Sequence, residues 1–226
     1  MKWLEPEVDQ VVRIRTGAVN PSVNPDTEYE LFSIPGYDAG QPEFKTGALI
    51  LSSKTVVYPG DLLFSKLNPR IPRIWIVPKS TGRPQISSTE FWPLVSNGTL
   101  LSNTYLRYFL LKLANDGVFK DSIEAATKSR SRIKPFHLLR QHIPLPPPSE
   151  QRRIVEILDQ ADALRKKRAE ADAKAARILP ALFYKMFGDP ATNPKGWPVA
   201  PISEMVDPIK RRDPSSQPDE PFIYID

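Results

Sequence analysis

Over the first two thirds of the chain, apolar residues fall in short runs closed by proline or glycine, the rhythm of brief strands joined by turns. Residues 29–34 form one such run, ended by Pro35-Gly36. Residues 55–58 and 61–64 form a second and a third, separated by Pro59-Gly60. Proline fixes φ and glycine accepts a positive φ, so the spacing predicts a type II turn and a tight reversal between two strands. Residues 74–77 and 91–95 complete the set, and Pro93 assigns the last to an edge or a bulge. From Asn103 the period changes. Leu106, Phe109, Leu110 and Leu113 recur at helical spacing behind a Ser102/Asn103 cap and stop at Asp116-Gly117. These elements predict an α+β domain over 1–148, with a twisted sheet and short helices.

The next stretch is of another kind. Residues 143–148 (IPLPPP) form an extended proline rod without the amide protons that a helix or a central strand needs. Ser149 follows as a candidate N-cap, with Glu150 in the first turn. Alternating steps of three and four residues then pick out Ile154, Ile157, Ala161, Leu164, Arg168, Ala171, Ala175, Ile178 and Leu182. All but Arg168 are apolar, the seam of a coiled coil, so one long helix is expected over 149–187. From Ser149 to Leu179 it would measure about 46 Å. A stripe of that length calls for a partner helix, from the rest of the full protein or from a second copy. Arg168 in the seam reads as a register device or as a side chain snorkelling to the rim. Residues 188–226 read as a linker and the opening of a second domain. Trp197 precedes the apolar 222–225 by 25 residues, much as Trp3 precedes residues 29–34 by 26. The expectation is a second domain cut short, or a free appendage.

Composition narrows the chemistry. The 226 residues are 40% apolar and 25% charged, a globular balance, and they include 25 prolines against 10 glycines. Cysteine is absent, which removes disulfides, zinc–thiolate sites and thiol nucleophiles, and only His137 and His142 offer imidazoles. Five residues apart and without neighbouring carboxylates, they read as structural or surface groups; no metal and no cofactor is expected. No run reaches the roughly 18 apolar residues of a membrane span, and residues 1–7 lack the apolar stretch of a signal peptide, so a cytoplasmic protein without a membrane partner is expected. The net charge of +5 is unevenly spread, because 125–185 holds 14 basic side chains against 6 acidic ones. Lys66, Arg70, Arg73, Lys79 and Arg83 lie in an acid-free stretch, 62–89, and Lys128, Arg130, Arg132, Lys134 and Arg140 lie in another, 125–149. Such clusters neutralise phosphates, and interleaved serines and threonines suit phosphate contacts, so a polyanion partner is indicated. An ordinary solvated basic face is the alternative. For Arg165, Lys166, Lys167 and Arg168 solvent exposure on the helix is the expectation.

Three segments resemble a known family. They are 58–66 (YPGDLLFSK), 86–91 (ISSTEF) and above all 143–155 (IPLPPPSEQRRIV), and they are similar to the specificity subunit of type I restriction-modification systems. The resemblance covers residues 1 to about 187 as one half-subunit: a target-recognition domain followed by the conserved spacer helix. It implies sequence-specific recognition of double-stranded DNA without catalysis. It further implies that the helix sets the half-site distance and docks DNA adenine methyltransferase subunits, through which the restriction motor subunits join. Lys66, Arg70, Arg73, Arg83, Lys128, Arg130, Arg132 and Lys134 are the expected DNA contacts, and the nine seam residues are the expected helix-pairing positions. Two chains pairing antiparallel would make a symmetric dimer suited to an inverted-repeat target. The alternatives are a truncated scaffold that only occupies the methyltransferase, and a standalone DNA-binding or anti-restriction module.

Enzymatic readings find less support. Asp26, Glu43 and Lys45 spell the loose PD…ExK pattern of metal-dependent nucleases, but residues 37–42 before Glu43 read as loop rather than as a strand beside Asp26. The chain has no glycine-rich phosphate loop, and Pro146-Pro147-Pro148 lacks the amide and ring that flipped-adenine chemistry uses. Trp75 and Trp92 on the expected strands read as core residues rather than base-stacking platforms.

Overall fold

The computed structural model describes residues 3–119 and 132–206. The chain divides into two units, Met1–Arg165 and Lys166–Asp226.

In the first unit the expected sheet is realised as two. One is antiparallel throughout and orders β1 (Val12–Ile14), β9 (Phe91–Ser96), β6 (Leu62–Ser65) and β7 (Ile74–Ile76). The other orders β2 (Ala18–Val19), β5 (Lys54–Val56), β8 (Gln85–Ser87), β3 (Glu28–Phe32) and β4 (Glu43–Thr46), with β3 and β8 parallel. The turn at Pro59-Gly60 has the predicted geometry, with Gly60 at φ 90° and the Asp61 N–H donating to the Tyr58 C=O at 3.0 Å. It does not close a hairpin, however. It carries the chain from β5 in one sheet to β6 in the other.

This crossing explains why β6 is buried along its whole length. Successive side chains of a strand point to opposite faces. Leu62 and Phe64 therefore enter one core cluster and Leu63 another. The first cluster sets β6 and β9, through Phe64, Trp92 and Leu94, against α2 (Asn103–Asn115), through Leu106 and Leu110. The second joins Leu63 and Phe91 to Phe32, Val57 and Val77. Helix α2 begins as predicted: the Ser102 side chain accepts from the Thr104 N–H, and Gly117 follows the helix at φ 80°.

Two sequence expectations are corrected. Pro35-Gly36 does not end regular structure; it opens α1 (Ile34–Ala39), capped by the Ser33 side chain. Proline is tolerated in a first helical turn because its missing N–H would have no partner there. Pro93 lies in β9, between β1 and β6, not at an edge. The Pro93 C=O accepts from the Arg15 N–H at 2.8 Å, so the side on which its N–H is missing faces the chain just beyond the last residue of β1. The ladder to β6 loses nothing. Gly47 marks the closest backbone approach, since a Cβ there would stand 2.2 Å from the Asn24 O and 2.3 Å from the Pro21 O.

After α3 (Pro135–Leu139) and the proline rod, α4 runs over Pro148–Ala175 and α5 over Ile178–Phe187. The helix starts one residue before the expected Ser149 cap, with Pro148 as its first residue. The helical stretch reaches residue 187 as expected, but it is interrupted at Ala176–Arg177. Pro180 is the cause: it has no N–H for the Ala176 C=O, and its ring collides with that carbonyl in a continuous helix. In the second unit α5 ends at Gly188, at φ 81°, and the following loop folds back on it. Lys195 Nζ donates to the Lys185 and Met186 carbonyls at 2.9 and 2.6 Å, and Trp197 Nε1 donates to the Phe187 C=O at 3.0 Å. A short helix, α6 (Ile202–Met205), follows.

Candidate nucleic-acid interface

The loop between β6 and β7, residues 66–73, carries three of the expected DNA contacts. Its base is closed by the Ser65 N–H donating to the Arg73 C=O at 2.9 Å, and its tip turns at Asn68, at φ 49°. Arg70 stands exposed at the tip without an ion pair among the described residues. Arg73 is committed differently: its guanidinium makes a two-pronged pair with Asp38 of α1, at 2.8 and 3.1 Å. That contact holds the Asp38 carboxyl below its ordinary value.

The second basic stretch meets the first. Leu67 and Arg132 form a bridge between strand-like segments, and the Ile133 N–H donates to the Lys66 C=O at 3.0 Å. Glu90 sits between them. Arg132 grips its carboxylate at 2.7 and 3.1 Å, and the Lys66 N–H donates to its backbone C=O at 2.9 Å. The Arg132 guanidinium, helped by the charge of Lys66, keeps the Glu90 carboxyl low against the opposing effect of burial. Phe119 packs edge-on against Phe64 of β6, with ring centroids 5.7 Å apart. Lys128 and Arg130 lie outside the described residues. Lys134 is exposed and not without a partner.

The loop from β7 to β8 carries Lys79 and Arg83. Lys79 is exposed and without an ion pair among the described residues. Arg83 pairs with Glu28 at 2.5 Å and lies over the Phe44 ring at 5.3 Å. The loop is held from beneath by Glu30, which is 1% exposed. Its carboxylate accepts from the Thr81 N–H at 2.7 Å, from the Thr81 hydroxyl, and from Gln85 Nε2 at 2.7 Å. Burial acts to raise the Glu30 carboxyl, but these hydrogen bonds and the nearby Arg83 outweigh it and hold the group below its ordinary value.

The seam residues lie mostly open to solvent. Ile154, with Val155, packs on the first core cluster. Ile157, Leu164, Ile178 and Leu182 are 56%, 67%, 63% and 48% exposed, and Ala161, Ala171 and Ala175 are exposed as well. Arg168 bends along the surface to Asp172 at 3.0 Å. Two helix residues that the periodicity did not single out turn out to be engaged: Gln151, 1% exposed, and Asp159, which accepts from the Tyr108 hydroxyl at 2.5 Å.

The nuclease pattern does not assemble. Glu43 lies across β3 from Leu31 and is occupied by Lys45 at 2.6 Å and by the Ser33 hydroxyl. Asp26 is exposed at the other end of β4, where the Ala48 N–H donates to the Pro25 C=O. Converging carboxylates are what a magnesium ion would need. Of the segment expected as loop, residues 37–39 are the end of α1, which corrects that part of the reading, while residues 40–42 directly before Glu43 are turn and loop. Trp92 stacks on Phe64 with centroids 6.3 Å apart, and Trp75 meets Phe32 edge-on at 4.9 Å, so both serve the core. Among the described residues no helix is long and apolar enough to cross a membrane.

Comparison with known proteins agrees with this architecture. The family model for the type I restriction modification DNA specificity domain matches residues 3–172, and the chain belongs to that family. Among solved structures, the HsdS subunit from Thermoanaerobacter tengcongensis is 23% identical, with a TM-score of 0.58 over 88% of this chain and 51% of that one. A structure described as the basis of complex assembly and conformational transition of the type I R-M system is 24% identical, with a TM-score of 0.65 over 88% of this chain and 52% of that one. The chain therefore spans about half the length of the solved chains it matches. No curated protein sequence matches it.

Proposed function

We propose that this chain is a DNA-reading component of a type I restriction-modification complex: it recognises one half-site of a two-part duplex target and catalyses nothing itself. The observation that carries the reading is the meeting of the two acid-free stretches at the Leu67–Arg132 bridge. Their charges lie 66 residues apart in the sequence but flank one loop. Lys66, Arg70, Lys79, Arg83, Arg132 and Lys134 form the contact surface, with Arg73 bracing the loop; Lys128 and Arg130, outside the described residues, are assigned to DNA contact from their place in the acid-free stretch alone. Phosphate contacts from such a surface position the duplex, and arginine can pair bidentately with guanine.

The exposed seam of α4 and α5 takes a partner helix. A second copy running antiparallel supplies it in a symmetric dimer, and DNA adenine methyltransferase subunits dock on the paired helices, with motor subunits joining through them. The test is duplex binding at two salt concentrations, with and without methyltransferase, by wild type and by a Lys66→Glu/Arg70→Glu variant. Expected is a several-fold or greater loss of affinity in the variant and a shallower salt dependence, with methyltransferase association kept. Equal DNA binding by the two proteins would overturn the assignment. Light scattering that shows a monomer at micromolar concentration, even with methyltransferase, would overturn the dimer.

One observation favours a second reading. Arg73, Arg83 and Arg132 each already hold a carboxylate, which lowers the net charge of the surface. A scaffold that merely occupies the methyltransferase would keep its association and its function after both loops are reversed in charge.

A further inference from the structure

We infer that Gln151, together with the Tyr108–Asp159 pair, fixes the direction in which α4 leaves the recognition domain, and through that direction the spacing at which half-sites are read. The inference rests on the reading proposed above and names residues that act in it.

Gln151 is buried although it is polar and begins the second turn of a helix whose other faces meet solvent. Its amide is nearly saturated. Nε2 donates to the Leu100 C=O at 2.7 Å and to the Pro146 C=O at 2.9 Å, and Oε1 accepts from the Ser102 N–H at 2.9 Å. One planar group thus joins the turn before α2, the N-cap of α2 and the proline rod. Only asparagine carries the same amide, and its stem is one methylene shorter; a carboxylate would face two carbonyl oxygens with nothing to donate. Two turns further on, about 12 Å along the helix, Asp159 accepts from Tyr108 of α2 at 2.5 Å. Ile154 and Val155 pack on the core between the two anchors.

Two fixed points define a line. A slip of about 2 Å across a 12 Å base grows to roughly 3.5 Å at Arg165, the end of the first unit and about 21 Å along the helix from Gln151, close to the rise of one base pair at about 3.4 Å. The core clusters hold the sheets and α2 without Gln151. The amide's contribution is therefore the angle of the helix, which is what a spacer must keep constant.

The experiment uses the absence of native cysteine. Arg13 and Gln160, both exposed, are replaced by cysteine and spin-labelled, and the distance distribution is measured in wild-type, Gln151→Leu and Tyr108→Phe backgrounds. Tyr108→Phe removes only a hydroxyl at the rim, so it remains informative even where Gln151→Leu fails to fold. In parallel, each protein with methyltransferase selects from duplexes in which the spacer length varies. Expected are a single narrow distance for wild type and a broadened one for both variants. The same half-site bases should be enriched, but preference for one spacer over another a base pair longer should fall by roughly tenfold, the size of a single mismatch. An unbroadened distribution, or relaxed distances with an unchanged spacer preference, would overturn the inference. A wild type that selects no two-part target refutes the proposed DNA reading instead, and the distance arm still decides whether Gln151 and Tyr108 set the helix direction.

Discussion

Asp61 is the residue of the Pro59-Gly60-Asp61 turn on which the junction between the two sheets depends. Its carboxylate is 6% exposed; it accepts from Arg15 Nε and Nη2 at 2.9 Å each and from the Tyr58 N–H at 3.0 Å. The Arg15 guanidinium also lies over the Tyr58 ring at 4.7 Å. Replacement by alanine removes two charge-assisted bonds and leaves a turn amide unpaired, each worth about 1–3 kcal/mol. Arg15 keeps 27% of its side-chain surface in water, so its charge is not stranded, and the sum falls short of the upper range for fully buried pairs. The expected loss for Asp61→Ala is about 3 kcal/mol, or about 6–12 °C in Tm for a chain of this size. Asp61→Asn keeps an oxygen for the Tyr58 N–H and should lose about half as much. Urea unfolding followed by tryptophan fluorescence, with Trp75 and Trp92 reporting the sheets, measures both. An Asp61→Ala protein within about 1 kcal/mol of wild type would refute the reasoning, because the bonds would then be replaced by water at no net cost.

Other consequences follow from the same geometry. Arg70→Ala should leave urea unfolding unchanged, since Arg70 is exposed and has no ion pair among the described residues, yet weaken duplex binding across sequences and lower the salt slope by about one; an unchanged slope counts against a phosphate contact. Glu30 is held below its unfolded-state pKa, so its contribution is present above the ordinary glutamate range and is lost as pH falls through the folded value. Glu30→Gln should therefore be less stable than wild type at neutral pH and lose less on acidification; urea midpoints at pH 7 and pH 4 that shift equally in both proteins would contradict this. Pro180→Ala restores an N–H for the Ala176 C=O and should join α4 to α5, raising helical content by circular dichroism; no gain means that something other than Pro180 interrupts the helix.

Features governed by local chemistry were legible in the sequence. The Ser102 cap and the glycine after α2 lie within one helix length of each other, and the type II turn at Pro59-Gly60 is set by its own two residues. What the turn connects was not legible, because the partners of β5 and β6 belong to strands distant in the chain. Pro93 misled for the same reason: whether a missing N–H matters depends on where the neighbouring strand ends. The two basic stretches were visible as acid-free runs, but the acids that meet them arrive from afar. Asp38 lies 35 residues from Arg73, Glu90 lies 42 from Arg132, and Glu28 lies 55 from Arg83. Reading charge along the chain thus overstated the free positive charge of these stretches, because the carboxylates that offset it come from distant parts of the sequence. Gln151 escaped notice because a glutamine in a helix looks solvent-facing until the carbonyls around it are known. The interruption at 176–177 was written in the sequence as Pro180, beneath a seam whose apolar rhythm runs straight through it.

The central claim, that this chain reads DNA, is tested most directly by selection from a randomised duplex pool at two salt concentrations, with and without DNA adenine methyltransferase. The account predicts enrichment of a defined base pattern in the presence of methyltransferase, lost when Lys66 and Arg70 are reversed in charge. A pool that stays random while methyltransferase still co-purifies would contradict it and leave the exposed helix as the working part.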